Sequence, residues 1–197
     1  IIVVIGSAAS ASKKAAHQEG LEVEDLNKKY RSMAAGLKRA VMKKADWKKA
    51  AKAAKEREKA ESKSDTARSR VFVIDFKGDL KASAVPSLRE EVSAILEVAT
   101  PDDEVVVRLD NHGGVVHEHG LAASQLVRIR NREIPLTVVV DKVAASGGYL
   151  MACVANRILA APFAILGSIG VLAQIPNFNR MLDSQGVDFE MVTAGKH

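Results

Sequence analysis

From residue 71 to residue 160 the chain alternates short β-branched apolar runs with stretches whose apolar residues recur every three or four positions. No other feature restricts the fold as strongly. Residues 71–76 (Val-Phe-Val-Ile-Asp-Phe), 104–109 around Val105-Val106-Val107, 136–140 and 157–160 read as strands. Residues 86–99, 121–132 and 147–155 read as helices, the first with Leu88, Val92, Ile95 and Leu96 on one face. The order β-α-β-α-β-α-β argues for an α/β layer fold with a mainly parallel sheet and right-handed crossovers. Apolar runs of this kind suit strands covered on both faces. In such sheets, functional loops follow the carboxyl ends of the strands.

The region before residue 70 has a different texture. Residues 13–70 hold 18 basic and 9 acidic side chains, whereas residues 71–197 hold 11 and 15, so the overall +5 hides two regions of opposite sign. In residues 24–42, Leu26, Tyr30, Met33, Leu37 and Val41 share one helical face, which needs a partner. Residues 43–63 are nearly all Lys, Ala and Glu. Their helix propensity is high, but they have no apolar stripe, so a solvated helix or tether is expected. Basic charge beside an anchor suits anionic lipid. Without interleaved aromatics it does not argue for nucleic acid.

The start, Ile-Ile-Val-Val-Ile, is too short for a bilayer, which needs about 20 apolar residues. It reads as the remnant of a membrane anchor over residues 1–12, the alternative being a small hydrophobic strand. The sequence is expected to be an excerpt: anchor remnant, basic helical tether over 13–69, and a catalytic domain over 70–197 cut short at its C-terminal end. The single cysteine, Cys153, excludes an intramolecular disulfide and is expected to be a buried thiol.

Three loops lie at strand ends: residues 76–79, 110–114 and 141–148. The last two carry the pairs Gly113-Gly114 and Gly147-Gly148, and the third also carries Ser146. Glycines let backbone N–H groups face a ligand, and two converging amides stabilise an oxyanion. A serine nucleophile with amides from Gly113, Gly114 and Gly147 is therefore one reading. An N-cap serine beside two tight turns is the other. Asp110 and His112 are two apart on one loop, an awkward placing for a Ser-His-Asp triad. His117 and His119 suggest a metal, but they lack H-E-x-x-H spacing. A polar loop surface is expected for both, and neither a metal nor a cofactor is called for.

The stretches V-D-K-V-A-A-S-G-G-Y-L-M-A-C-V-A, A-P-F-A-I-L-G-S-I-G-V, N-F-N-R and T-A-G together resemble the SppA/SohB family of signal peptide peptidases, most closely its SohB branch. The resemblance covers nearly the whole chain and is densest from Val71 onward. It implies a ClpP/crotonase-like fold, a single N-terminal anchor in a bacterial inner membrane, peptide substrates, ring-shaped homo-oligomers and a Ser/Lys dyad. Ser146 occupies the nucleophile position. The base would be the residue after His197 in a T-A-G-x-Y-K segment, with Lys196 filling the variable position and serving only as a substitute base. Ser168, in G-S-I-G-V, would orient that lysine. The family's S-P-G-G loop reads Asn111-His112-Gly113-Gly114 here, which puts the aim of the Gly114 amide in question. A crotonase-like acyl-CoA enzyme and a silent scaffold are the alternatives. Lysines after the anchor point the catalytic domain to the cytoplasm, whereas the resemblance points it outside.

Overall fold

The computed structural model describes residues 2–6, 21–63, 69–188, 190 and 192–195. The expected α/β class is observed, with one mainly parallel sheet. Strand β1 is Ile2–Gly6 and β2 is Glu22–Asp25. Helices α1 (Leu26–Val41) and α2 (Lys44–Lys63) follow. Next come β3 (Val71–Gly78), α3 (Val85–Val98), β4 (Glu104–Asn111), α4 (Val116–Arg130) and β5 (Leu136–Val140). The chain continues through β6 (Val143–Ala145), α5 (Gly147–Ala152), β7 (Arg157–Ala160), β8 (Ile165–Gly167) and α6 (Asn179–Ser184).

The sheet runs β2-β1-β3-β4-β5-β7, and every pair is parallel except β1 with β2. The opening apolar run, offered as an anchor remnant or a small strand, takes the strand form and lies between β2 and β3. Among the described residues no helix is long and apolar enough to cross a membrane.

The core lies on one face. Phe72, Ile74 and Phe76 of β3, Val105, Val107 and Leu109 of β4, and Leu136, Val138 and Val140 of β5 alternate inward. They meet Leu88, Val92 and Ile95 of α3, Leu126 and Ile129 of α4, and Met151 of α5. The expectation of strands covered on both faces holds only in part: Val73 of β3 and Thr137 of β5 are buried on the outward face. The outward positions Asp75 and Arg108 form an ion pair in the open, and Asp110 stands 3.9 Å from Lys142. Charge at alternate positions cannot be buried cheaply, so the charged part of this face stays wet.

At the end of β4 the pairing partner changes. β5 pairs β4 from Val105 to Arg108, and β6 then takes over with Asn111 opposite Ala144. β8 pairs β6 in turn, with Gly167 opposite Ala145. This handover directs the chain around Ser146. Past β8, large apolar side chains such as Ile169, Leu172 and Ile175 face solvent.

Candidate active site

Ser146 sits between β6 and α5, at the N-cap position of the helix. It does not cap it: its side chain makes no capping hydrogen bond. Its backbone has φ +50° and ψ −117°, a left-handed geometry that a serine adopts only under constraint. Such a residue costs about 1–3 kcal/mol and persists where neighbours over-determine it. Two hydrogen bonds do so here. The Ser146 N–H donates to Gly167 O at 2.8 Å, and the Ser146 carbonyl accepts from Leu150 N at 2.9 Å. A strained serine on a strand-to-helix turn is the way several hydrolases expose a nucleophile.

The glycine loop after β4 closes on it. A Cβ added to Gly113 would fall 2.7 Å from Ser146 Cβ and 2.9 Å from Gly147 N, and φ at Gly113 is +86°. Only glycine permits this approach. A Cβ on Gly114 would fall 2.2 Å from Leu80 O, so the loop after β3 joins the assembly. The Val115 N–H donates to Leu80 O at 2.9 Å and pins the two loops together.

The three amides named from the sequence differ in their occupation. The Gly113 N–H donates to Asn111 Oδ1 at 2.8 Å and is already used. Gly147 contributes the first helical amide of α5, a position without an intrahelical acceptor. Gly114 follows Gly113 on the pinned loop. Of the three, the Gly113 amide is thus engaged within its own turn. Ser168 is exposed, with φ +54°, directly after the Gly167 that holds Ser146. Lys196 and His197 lie outside the described residues, and so does the base assigned to that segment.

The histidines separate sharply. His117 is exposed and His112 is exposed. The surface position expected for His119 is overturned: it is fully buried. Residues 116–120 form the first turns of α4 rather than a loop. The spacing His119, Ala122, Ala123, Leu126, Ile129 puts the ring on the buried stripe, a signal present in the sequence. Asn111, which in sequence marks only a departure from the S-P-G-G pattern, is also fully buried. Among the described residues no group of three His, Cys, Asp or Glu side chains could hold a metal ion. Cys153 is likewise corrected, being exposed just after α5.

Two family models match the chain: "Peptidase family S49 N-terminal" over residues 1–126 and "Peptidase family S49" over residues 128–197. A protein named "Probable protease SohB" from Buchnera aphidicola subsp. Schlechtendalia chinensis is 61% identical over 125 residues, 64% of this chain and 41% of that protein. The protein of the same name from Haemophilus influenzae is 56% identical over 138 residues, 70% of this chain and 39% of its own. The chain therefore spans about two fifths of the length of these curated relatives. A solved enoyl-CoA hydratase/isomerase family member shares 18% identity with a TM-score of 0.40, covering 59% of each chain, too loose a likeness to bear on chemistry.

Proposed function

Because the chain belongs to peptidase family S49, we propose that it carries the nucleophile half of a membrane-associated serine endopeptidase. Ser146 attacks the scissile carbonyl, and a lysine from the segment at or beyond Lys196 takes its proton. The developing oxyanion is received by the N–H groups of Gly114 and Gly147. Water then hydrolyses the acyl-enzyme. The lysine must be neutral to act, against an ordinary pKa of about 10.4, so it needs an apolar, dehydrated setting. Ser168, beside the Gly167 carbonyl that holds Ser146, is suited to orient it.

The observation that carries this reading is the backbone of Ser146. A serine held at φ +50° with no capping bond has no structural task that glycine would not do with less strain. Extended, apolar peptides of the signal-peptide type are the substrates that the family likeness favours. Membrane association is supported by α1. Tyr30, Met33, Leu37 and Val41 form an exposed stripe, and residues 26–41 hold five basic and no acidic side chains. That combination suits an anionic lipid surface. Assembly into rings of identical copies belongs to the same proposal.

The test is a serine-directed fluorophosphonate probe on a chain extended past His197 to the length of its relatives. Labelling that disappears in Ser146→Ala is expected. Labelling that survives that change, or binding of CoA in its place, would turn the assignment toward the acyl-CoA alternative.

A further inference from the structure

Directly beneath the two glycine loops lies a buried polar chain for which nucleophilic catalysis has no direct use. His119 is fully buried, with Nε2 3.2 Å from Asn111 Oδ1 and Nδ1 3.1 Å from Val115 O. Asn111 Oδ1 also accepts the Gly113 N–H at 2.8 Å, and Asn111 Nδ2 reaches Met151 Sδ at 3.4 Å. The carboxamide cannot be turned over, because its NH2 would then face the Gly113 N–H. Asn111 Oδ1 therefore faces His119 Nε2 as an acceptor, and that contact is a hydrogen bond when Nε2 carries the ring hydrogen; Val115 O is likewise an acceptor facing Nδ1. The ring also touches the other loop: a Cβ on Gly147 would fall 2.4 Å from His119 Cγ. Asn111 in turn crowds Gly78 and Gly148, where a Cβ would fall 2.2 Å from Asn111 Cγ and 2.4 Å from Asn111 O respectively.

We propose that His119 is a positioning residue: through Asn111 it sets the Gly113-Gly114 turn, and by ring contact it sets the first turn of α5. One side chain thus braces both glycine turns that flank Ser146. The inference rests on the peptidase reading for its catalytic consequence, though not for its structural one. Buried polar networks rigidify the elements they join. A donor misaimed by a fraction of an ångström loses much of its effect on the transition state.

The chemistry of the donor separates positioning from mere filling. Gln places an N–H near the Nε2 position, whereas Met fills similar volume without one. In the chain extended past His197, His119→Met should lower kcat by about 10–100-fold with KM within about twofold. His119→Gln should restore kcat to within about threefold of the unaltered protein. Hydrogen exchange at the Gly113 amide should rise about tenfold in the Met variant and stay low in the Gln variant. Asn111→Ser, which breaks the same chain from its other end, should match the Met variant and serves if the latter does not fold. Unchanged kcat and exchange in the Met or Ser variant, or equal impairment by Gln and Met, overturns the proposal. If the unaltered protein shows no Ser146-dependent turnover, the peptidase reading falls, and the exchange measurement still decides whether His119 holds the turn.

Discussion

Helices α1 and α3 carry the same kind of pattern and meet opposite fates. In α3, Leu88, Val92 and Ile95 recur at steps of four and three and are at most 1% exposed. In α1, Tyr30, Met33, Leu37 and Val41 recur at steps of three, four and four and are 57–74% exposed. Both helices form. Asp25 caps α1 by accepting the Lys28 N–H at 3.1 Å, and Pro86 opens α3. The difference is the neighbour: α3 packs against β3 and α4, whereas among the described residues the stripe of α1 has no apolar face against it. Periodicity makes a helix amphipathic, but only a matching surface converts the stripe into stability.

The largest expected effect sharpens that contrast. Leu88→Ala in α3 should cost about 2–5 kcal/mol of unfolding free energy, from lost transfer and the cavity left behind. Chemical denaturation checks it, and a loss under about 1 kcal/mol would mean that α3 is not part of the cooperative core.

A second effect acts at the edge of the same body, where charge replaces apolar area. The Asp103 side chain is buried and accepts from Arg70 N, Nε and Nη2 and from Thr100 N and Oγ1, at 2.7–3.1 Å. The Arg70 guanidinium first, with these amides and the hydroxyl, holds the Asp103 carboxyl well below the usual carboxylate range. Its folded pKa is therefore depressed. The stability it contributes is full above the unfolded value of about 3.9 and is lost as pH falls through the folded value. Asp103→Ala should cost about 3 kcal/mol at neutral pH. Asp103→Asn should flatten the fall of stability below about pH 4, and an unchanged acid limb would mean that the pair does not couple to folding.

A smaller effect has the opposite sign. Ser146→Gly should stabilise the chain by about 1 kcal/mol, since glycine reaches φ +50° without strain. It should at the same time abolish fluorophosphonate labelling. A destabilised Gly variant would place the strain elsewhere.

These effects differ in how far they could be read in advance. Strands β3, β4, β5 and β7 were legible because apolar runs bounded by polar turns have few other uses. Strands β6 and β8 were not, because three residues carry no period. β2 was missed because Glu-Val-Glu-Asp is poor strand material that only pairing with β1 recruits. The start of α4 lies five residues before the point that the sequence indicates, since V-V-H-E-H looks polar until His119 is seen on the stripe of Ala122, Leu126 and Ile129. The glycines and Ser146 were legible as residue types. The positive φ of Ser146 was not, because it is imposed by the hydrogen bond to Gly167 across a strand pair invisible in the sequence.

The smallest effect tests the other side of the comparison. Leu37→Gln in α1 should leave the stability of the isolated chain within about 0.5 kcal/mol, because Leu37 is 67% exposed and has little burial to lose. The same change removes apolar area from the centre of the stripe. It should weaken sedimentation with vesicles of anionic lipid, and less so with neutral lipid, where the basic side chains of α1 gain nothing. A loss of several kcal/mol in solution would mean that the stripe packs within the chain. Unchanged vesicle binding, with a change in oligomeric state instead, would assign the face to a second copy. Either result would break the contrast drawn between α1 and α3, because each makes the exposed stripe a protein-covered one.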